Sequence, residues 1–424
     1  MVEINKRLGP SAQVQCQDPP HNGHMTSQNL LPAETCYASP RMSEQDAPRK
    51  RNRSIRRVVA VVLIVLLAFF VRSAERHVRA ASLLLRFADP DAQGFLPTYR
   101  KHLVNEKLTE VETARGIVRA RMYSPEGVTN APGLVLVHGV HRLAIDEPRL
   151  VKFARALASV GMVVLTPEVK EIADYRIDAL SIETIGAAAH SLRGHLQGRR
   201  VGLMGMSFAG GLGLLAASDP AFADDIGFVL AIGAHHDIHR VLEFFKTNHV
   251  QWPDGHDEKL PAHPYGALVL LYSHVEHLVP EKDVPAAREA IKFWLWEQHE
   301  ESKKHLAELS PQSRTTVESL LDGKADLPKL IDEVTRDGKG GDAISPKGHL
   351  SLLKAPVYLL HGAADNVIPA AETAWIASEV PPHLLEQSLV TPAVVHVELA
   401  GQPSAKQQWE VVHFMAGVLD AAER

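Results

Sequence analysis

Gly205-Met206-Ser207-Phe208-Ala209-Gly210 follows a short apolar run, Val201 to Met204, and opens a stretch rich in glycine and alanine. The pattern reads as strand, sharp turn and helix, with a serine at the turn. Such a turn lifts a hydroxyl to the edge of a sheet, and small residues beside it let helix and strand pack closely. A serine is a weak nucleophile until a base takes its proton and an acid orients that base. The chain supplies candidates for both. Asp365 sits in Leu360-His361-Gly362-Ala363-Ala364-Asp365-Asn366-Val367-Ile368-Pro369, where a strand runs into a loop of small residues. The other acid candidate is Asp237, after the run Ile226 to Ile232. His396 lies past the last expected strand and is the candidate base. His413, within Trp409-Glu410-Val411-Val412-His413-Phe414, reads instead as a core or interface histidine.

Acyl transfer also needs two N–H groups to hold an oxyanion. One is expected from Phe208, the residue after the serine. The other is expected from the loop His138-Gly139-Val140-His141 that follows the apolar strand Gly133 to Val137, with Val140 N–H as the donor. Gly139 would let that backbone turn, and His138 reads as a buried residue that holds the loop. His235, His236 and His239 cluster but lack a carboxylate at clear ligand spacing, so no metal site is expected there. No cofactor is called for.

The elements that must position these groups follow a regular alternation. Leu108 to Tyr123 reads as two strands. Gly133 to Val137, Met162 to Leu165, Val201 to Met204, Ile226 to Ile232, Pro356 to Leu360 and Gln387 to Val390 read as further strands. Arg149 to Val160, Ser181 to Leu196, Gly210 to Ala217, Ala370 to Ser378 and Trp409 to Ala422 read as helices. Uninterrupted apolar strands separated by helices imply a mostly parallel sheet covered on both faces. The stretch from about 237 to 350 breaks the alternation and is too long for a simple connection. It reads as a helical insertion, with helical text from Val284 to Leu309 that includes Phe293, Trp294 and Trp296. Its end, Asp337-Gly338-Lys339-Gly340-Gly341, could hinge a lid over the site.

Together the His-Gly loop, the serine turn and the Gly-x-x-Asp-x-x-x-Pro acid loop resemble the α/β-hydrolase family, over roughly residues 108 to 424 less much of the insertion. The order Ser207, Asp365, His396 is the order that family uses. The resemblance implies an α/β fold with a helical lid insertion and a serine hydrolase, most simply one that cleaves a carboxylic ester. Acyltransferase and peptidase chemistry would use the same residues, and a silent hydrolase-fold binding module is the non-enzymatic alternative. Two departures stand out. Ala209 replaces the second glycine of the usual serine turn, although Gly210 follows, and no Gly-His pair marks the base.

The bulk numbers bound the rest. The 424 residues are 45% hydrophobic, with a net charge of −5 and no long basic stripe in the globular part, so nucleic acid is not an expected partner. Both cysteines, Cys16 and Cys36, precede residue 80, which excludes a core disulfide or a cysteine-bound metal from the globular part. Residues 1 to 48 have the composition of a disordered tail, and Met42 is an alternative start. Arg49, Lys50, Arg51, Arg53, Arg56 and Arg57 then precede an unbroken apolar run, Val58 to Val71. At about 1.5 Å per residue the run spans roughly 21 Å, short of a ~30 Å hydrocarbon core, a deficit that snorkelling arginines reduce. The readings are an uncleaved signal anchor, a cleaved signal or a buried helix. The excess of basic residues before the run places the N-terminus in the cytoplasm and a domain from residue 80 onward outside it. The expected partners are a membrane and a small ester or acyl substrate.

Overall fold

A computed structural model describes residues 47–336, 341–395, 398–399 and 402–424. The chain divides into two compact units, Met1–Ile64 and Val65–Arg424. Helix α1, Ala47–Ala88, crosses that boundary. It is far longer than the apolar run alone would give. The large side chains from Val58 to Val71 are 50–71% exposed, whereas Ala80, Leu83 and Arg86 are buried. The sequence boundary at residue 80 therefore falls inside a continuous helix.

The second unit is built on one eight-stranded sheet: β1 Val104–Thr113, β2 Gly116–Pro125, β3 Gly133–Val137, β4 Val163–Pro167, β5 Val201–Met206, β6 Ile226–Ile232, β7 Val357–Gly362 and β8 Leu385–Thr391, in the spatial order β1-β2-β4-β3-β5-β6-β7-β8. β1 and β2 form an antiparallel hairpin at one edge, and β3 to β8 are parallel. Alternate side chains of each strand go to opposite faces. Leu134 and Leu136 join one core with α1, α2 (Pro148–Ser159) and the last helix; Val135 and Val137 join the other, with α3 (Leu180–His195) and α4 (Phe208–Ser218). This is the mostly parallel, doubly covered sheet of the α/β-hydrolase fold that the sequence implied.

Between β6 and β7 the insertion contributes α5 Ile238–Thr247, α6 Pro264–Tyr272, α7 Val284–Leu295, α8 His299–Glu308, α9 Pro311–Leu321 and α10 Leu327–Thr335. The helical text from Val284 to Leu309 forms two helices. It breaks after Trp296, where Glu297 takes φ 60°, and α8 restarts at His299. Phe293 then stacks on His305 across the break, with ring centroids 5.4 Å apart. The expected hinge glycines Gly338 and Gly340 lie outside the described residues. α11 Ala371–Glu379 and α12 Ala405–Glu423 complete the fold.

Candidate active site

Ser207 occupies the junction of β5 and α4 with φ 57° and ψ −134°, a conformation that costs free energy for a residue with a Cβ. The surroundings hold it there. The Ser207 N–H donates to the Ile232 carbonyl at 2.7 Å, and the Gly210 N–H donates to the Ser207 carbonyl at 2.9 Å. Gly205 is needed one turn below, because a Cβ there would sit 2.3 Å from the Ala209 carbonyl oxygen. The alanine at 209 is buried without disturbing the turn. Phe208 is the first residue of α4, where N–H groups have no acceptor within the helix.

The loop expected to offer the second N–H is held by His138. Its Nε2 lies 3.1 Å from the Val169 N–H, so it accepts there. Nδ1 therefore carries the ring proton and donates to the Gly139 carbonyl at 2.8 Å. In a trans peptide the C=O and the next N–H point in opposite directions. Fixing the Gly139 carbonyl against His138 thus turns the Val140 N–H the other way. Burial pushes the His138 pKa down to about 4, which keeps this tautomer neutral. Gly139 is not forced by the backbone, contrary to expectation. It lacks a positive φ, and a Cβ there would meet nothing closer than 4.0 Å. The loop is held by the histidine rather than by glycine freedom.

Asp365 is buried in the loop after β7. Its Oδ1 accepts from the N–H groups of Val367 at 2.9 Å and Ile368 at 3.1 Å. Its Oδ2 lies 3.4 Å from Nε2 of buried His361. That imidazole donates to the Ile368 carbonyl at 2.8 Å and takes the Thr373 hydroxyl at Nδ1, 2.7 Å away. His361 thus clamps the acid loop, a role the sequence did not disclose. Asp237 instead caps α5. It accepts from the His239 N–H and from Lys347, both holding its carboxyl below its ordinary range against the opposing effect of burial.

His396 lies outside the described residues. Ala393, three residues earlier, is described and lies in the wall of the cavity that holds Ser207. His413 is on the exposed side of α12, where its Nδ1 is 2.9 Å from His77 Nε2 of α1. It contacts α1 and is not among the residues that line the serine's cavity. Among the described residues no cluster of His, Cys, Asp and Glu could hold a metal ion.

Ser207, Phe208, His138, Gly139 and Val140 line one cavity of about 1160 Å³. It opens at the C-terminal edge of the sheet, where ligands gather in open α/β folds. Tyr265, Leu295 and Trp296 of the insertion contribute to its wall, as do Val411 and Val412 of α12. So do Leu84, Leu85 and Phe87 of α1, which the sequence reading had left outside the site. Ala81, Leu84, Leu85 and Ala88, all in that wall, recur at helical spacing, the signal that could have revealed it. Of the three aromatic residues expected in a lid, Trp296 alone reaches the cavity; Phe293 and Trp294 pack against α8 and its lead-in.

No family profile and no curated protein matches this chain. Solved structures of similar architecture include a Pyrobaculum calidifontis esterase, 15% identical, over 81% of this chain and 90% of the esterase, with a TM-score of 0.42. A proline iminopeptidase of Mycobacterium smegmatis is 16% identical over 75% of this chain and 99% of its own, with a TM-score of 0.42. An acylaminoacyl peptidase is 12% identical over 76% of this chain, with a TM-score of 0.42, and the chain spans only 41% of its length. At these identities the likeness extends to architecture and no further.

Proposed function

We propose that this chain is a serine hydrolase that cleaves a carboxylic ester through an acyl-enzyme. The observation that carries the reading is Ser207 at φ 57°, opening into the cavity beside the His138–Val140 loop. Ser207 Oγ attacks the carbonyl carbon while His396 takes its proton. The oxyanion is received by the N–H groups of Val140 and Phe208. His396 then gives the proton to the departing alkoxide, and the alcohol leaves. Water, deprotonated by the same histidine, attacks the acyl-enzyme and releases the acid. Asp365, anchored by two backbone N–H groups, orients His396 and stabilises its charged form. The leucine, valine and aromatic walls suit an apolar acyl or alcohol group.

We propose in addition that the chain is a single-pass membrane protein. The window within Arg56–Ala88 is apolar and unburied, and the basic cluster before it favours a cytoplasmic N-terminus. A reporter fused at the C-terminus should then read as extracytoplasmic.

The chemistry is tested with a fluorophosphonate probe on the full chain. Wild-type protein should be labelled at Ser207. Ser207→Ala should lose labelling and keep its thermal transition, and His396→Ala should lower turnover by several orders of magnitude, because triad members act as a unit. Labelling that persists in Ser207→Ala would remove the assignment.

A further inference from the structure

We infer that the substrate is a long-chain ester resident in the bilayer, reaching Ser207 along α1 rather than through water. The inference rests on the ester-hydrolase reading above and adds the source and size of the substrate. α1 does not stop where its exposed apolar stretch ends at Val71. It continues without a break, and ten residues later, about 15 Å along the axis, Ala81 begins a face that forms one wall of the Ser207 cavity. That wall is Leu84, Leu85 and Phe87, with Leu85 still 39% exposed. Phe153 of α2 and Val411 and Val412 of α12 extend it. One helix thus runs from an apolar segment that is exposed among the described residues, through a charged stretch from Arg72 to Arg79, to the apolar wall of the catalytic cavity.

The wall is held rigidly. Arg86, buried, donates to the carbonyls of Pro97 and Tyr99 at 2.6 Å, and to the Ser159 carbonyl at 3.0 Å and its hydroxyl at 2.7 Å. Lys152 donates to the Ala88 carbonyl at 2.8 Å and closes the helix end. Arg76 and Arg79 pair with Asp420 and Glu423 of α12. Where α1 leaves its exposed stretch, Trp409 of α12 is 58% exposed and stacks on His77 with centroids 5.1 Å apart. Phe95, just past the end of α1, is 73% exposed. An exposed tryptophan such as Trp409 favours the membrane–water interface. Trp409 would seat this end of α1 at the lipid headgroups, where Arg72, Arg76 and Arg79 also lie, and put the apolar cavity wall on the bilayer side of the domain. A cavity of about 1160 Å³ is also larger than the ~300–1,000 Å³ of sites for small ligands.

The test reconstitutes the full chain in phosphatidylcholine vesicles. A fluorogenic two-chain glycerol ester, which does not pass between vesicles, is placed in the same vesicles or in separate ones. A water-soluble fluorogenic butyrate is measured alongside. The expected result is butyrate hydrolysis in both preparations, with the two-chain ester cleaved at least tenfold faster when it shares the enzyme's membrane. Leu84→Asp with Leu85→Asp should lower the ratio of two-chain to butyrate turnover by tenfold or more. Equal rates in shared and separate vesicles would overturn the inference. So would butyrate hydrolysis with no cleavage of the two-chain ester. Failure to cleave butyrate, with no probe labelling at Ser207, would instead remove the hydrolase reading itself.

Discussion

At the scale of single residues, the serine was legible because its demands on sequence are local. A turn with φ 57° at Ser207 needs small residues within a few positions, and a Cβ at 205 would collide with the next turn of α4. Asp365 was legible for the same reason, since its partners Val367 and Ile368 are two and three residues away. His138 was read as a holder of the loop, but its partner Val169 is 31 residues distant, so the bond that fixes its tautomer could not be foreseen. The burial of the ring has a consequence for pH. The folded pKa is about 4 and the ordinary value 6.5, so between these values the unfolded chain binds a proton that the folded chain refuses. Stability then rises with pH across this window and is lost as pH falls, by up to about 3 kcal/mol for this group. Chemical denaturation at pH 7 and pH 5 should show a loss about 2 kcal/mol larger in wild type than in His138→Phe. The variant should also be slower, because its Gly139–Val140 peptide is no longer held. Equal losses would mean that His138 is protonated in the folded state, and the tautomer argument would fall.

Elements were legible where burial is complete. β3, β5, β6 and β7 are buried almost throughout, and strands covered on both faces read as apolar runs. The insertion was legible as helical but not in detail. Glu297 at φ 60° has no glycine or proline to announce the break, so the helical text reads straight through it. The break sets the roles of the aromatic residues. Trp296, the residue after α7, lines the cavity, with its indole N–H buried and without a partner among the described residues. Phe293 stacks on His305 and ties α7 to α8. Trp296→Ala should therefore alter kcat/KM across a chain-length series of esters, as a cavity wall does, and also lower the melting temperature, because the indole packs on Phe293 and against the core. Phe293→Ala should leave that series unchanged in shape and lower stability by about 1–2 kcal/mol, less than a full core truncation because the ring is half-buried. The exchange of these two outcomes would put Phe293, not Trp296, at the substrate.

At the scale of the whole molecule, the sequence reads an apolar segment that is over before residue 80, whereas the helix that carries it runs on to Ala88. The arginines at 72, 76 and 79 interrupt the apolar run and look like flanking charge, which hides the fact that the helix goes on. Arg76 and Arg79 instead pair with α12, and Arg79 also donates to the Val160 carbonyl at 2.9 Å. Ala80, Leu83 and Phe87 then pack with Phe153 and Leu157 in the core that α1 shares with α2 and α12. Three truncations separate the views. A chain beginning at residue 72 removes the exposed stretch and keeps every described contact of α1 with the domain; it should be soluble and labelled by the probe. A chain beginning at 81 leaves a helix of eight residues, too short to be stable without its packing, and loses the pairs to α12. Partly exposed pairs contribute up to about 1 kcal/mol each, so it should melt several degrees lower. A chain beginning at 89 removes the arginine that binds Pro97, Tyr99 and Ser159, uncovers Phe153 and opens one wall of the cavity. It should aggregate or lose labelling. Soluble yield, melting temperature and probe labelling measured on all three would decide the matter. If the chain from 89 matches the chain from 72 in all three, α1 is a tether alone and the catalytic domain is complete without it.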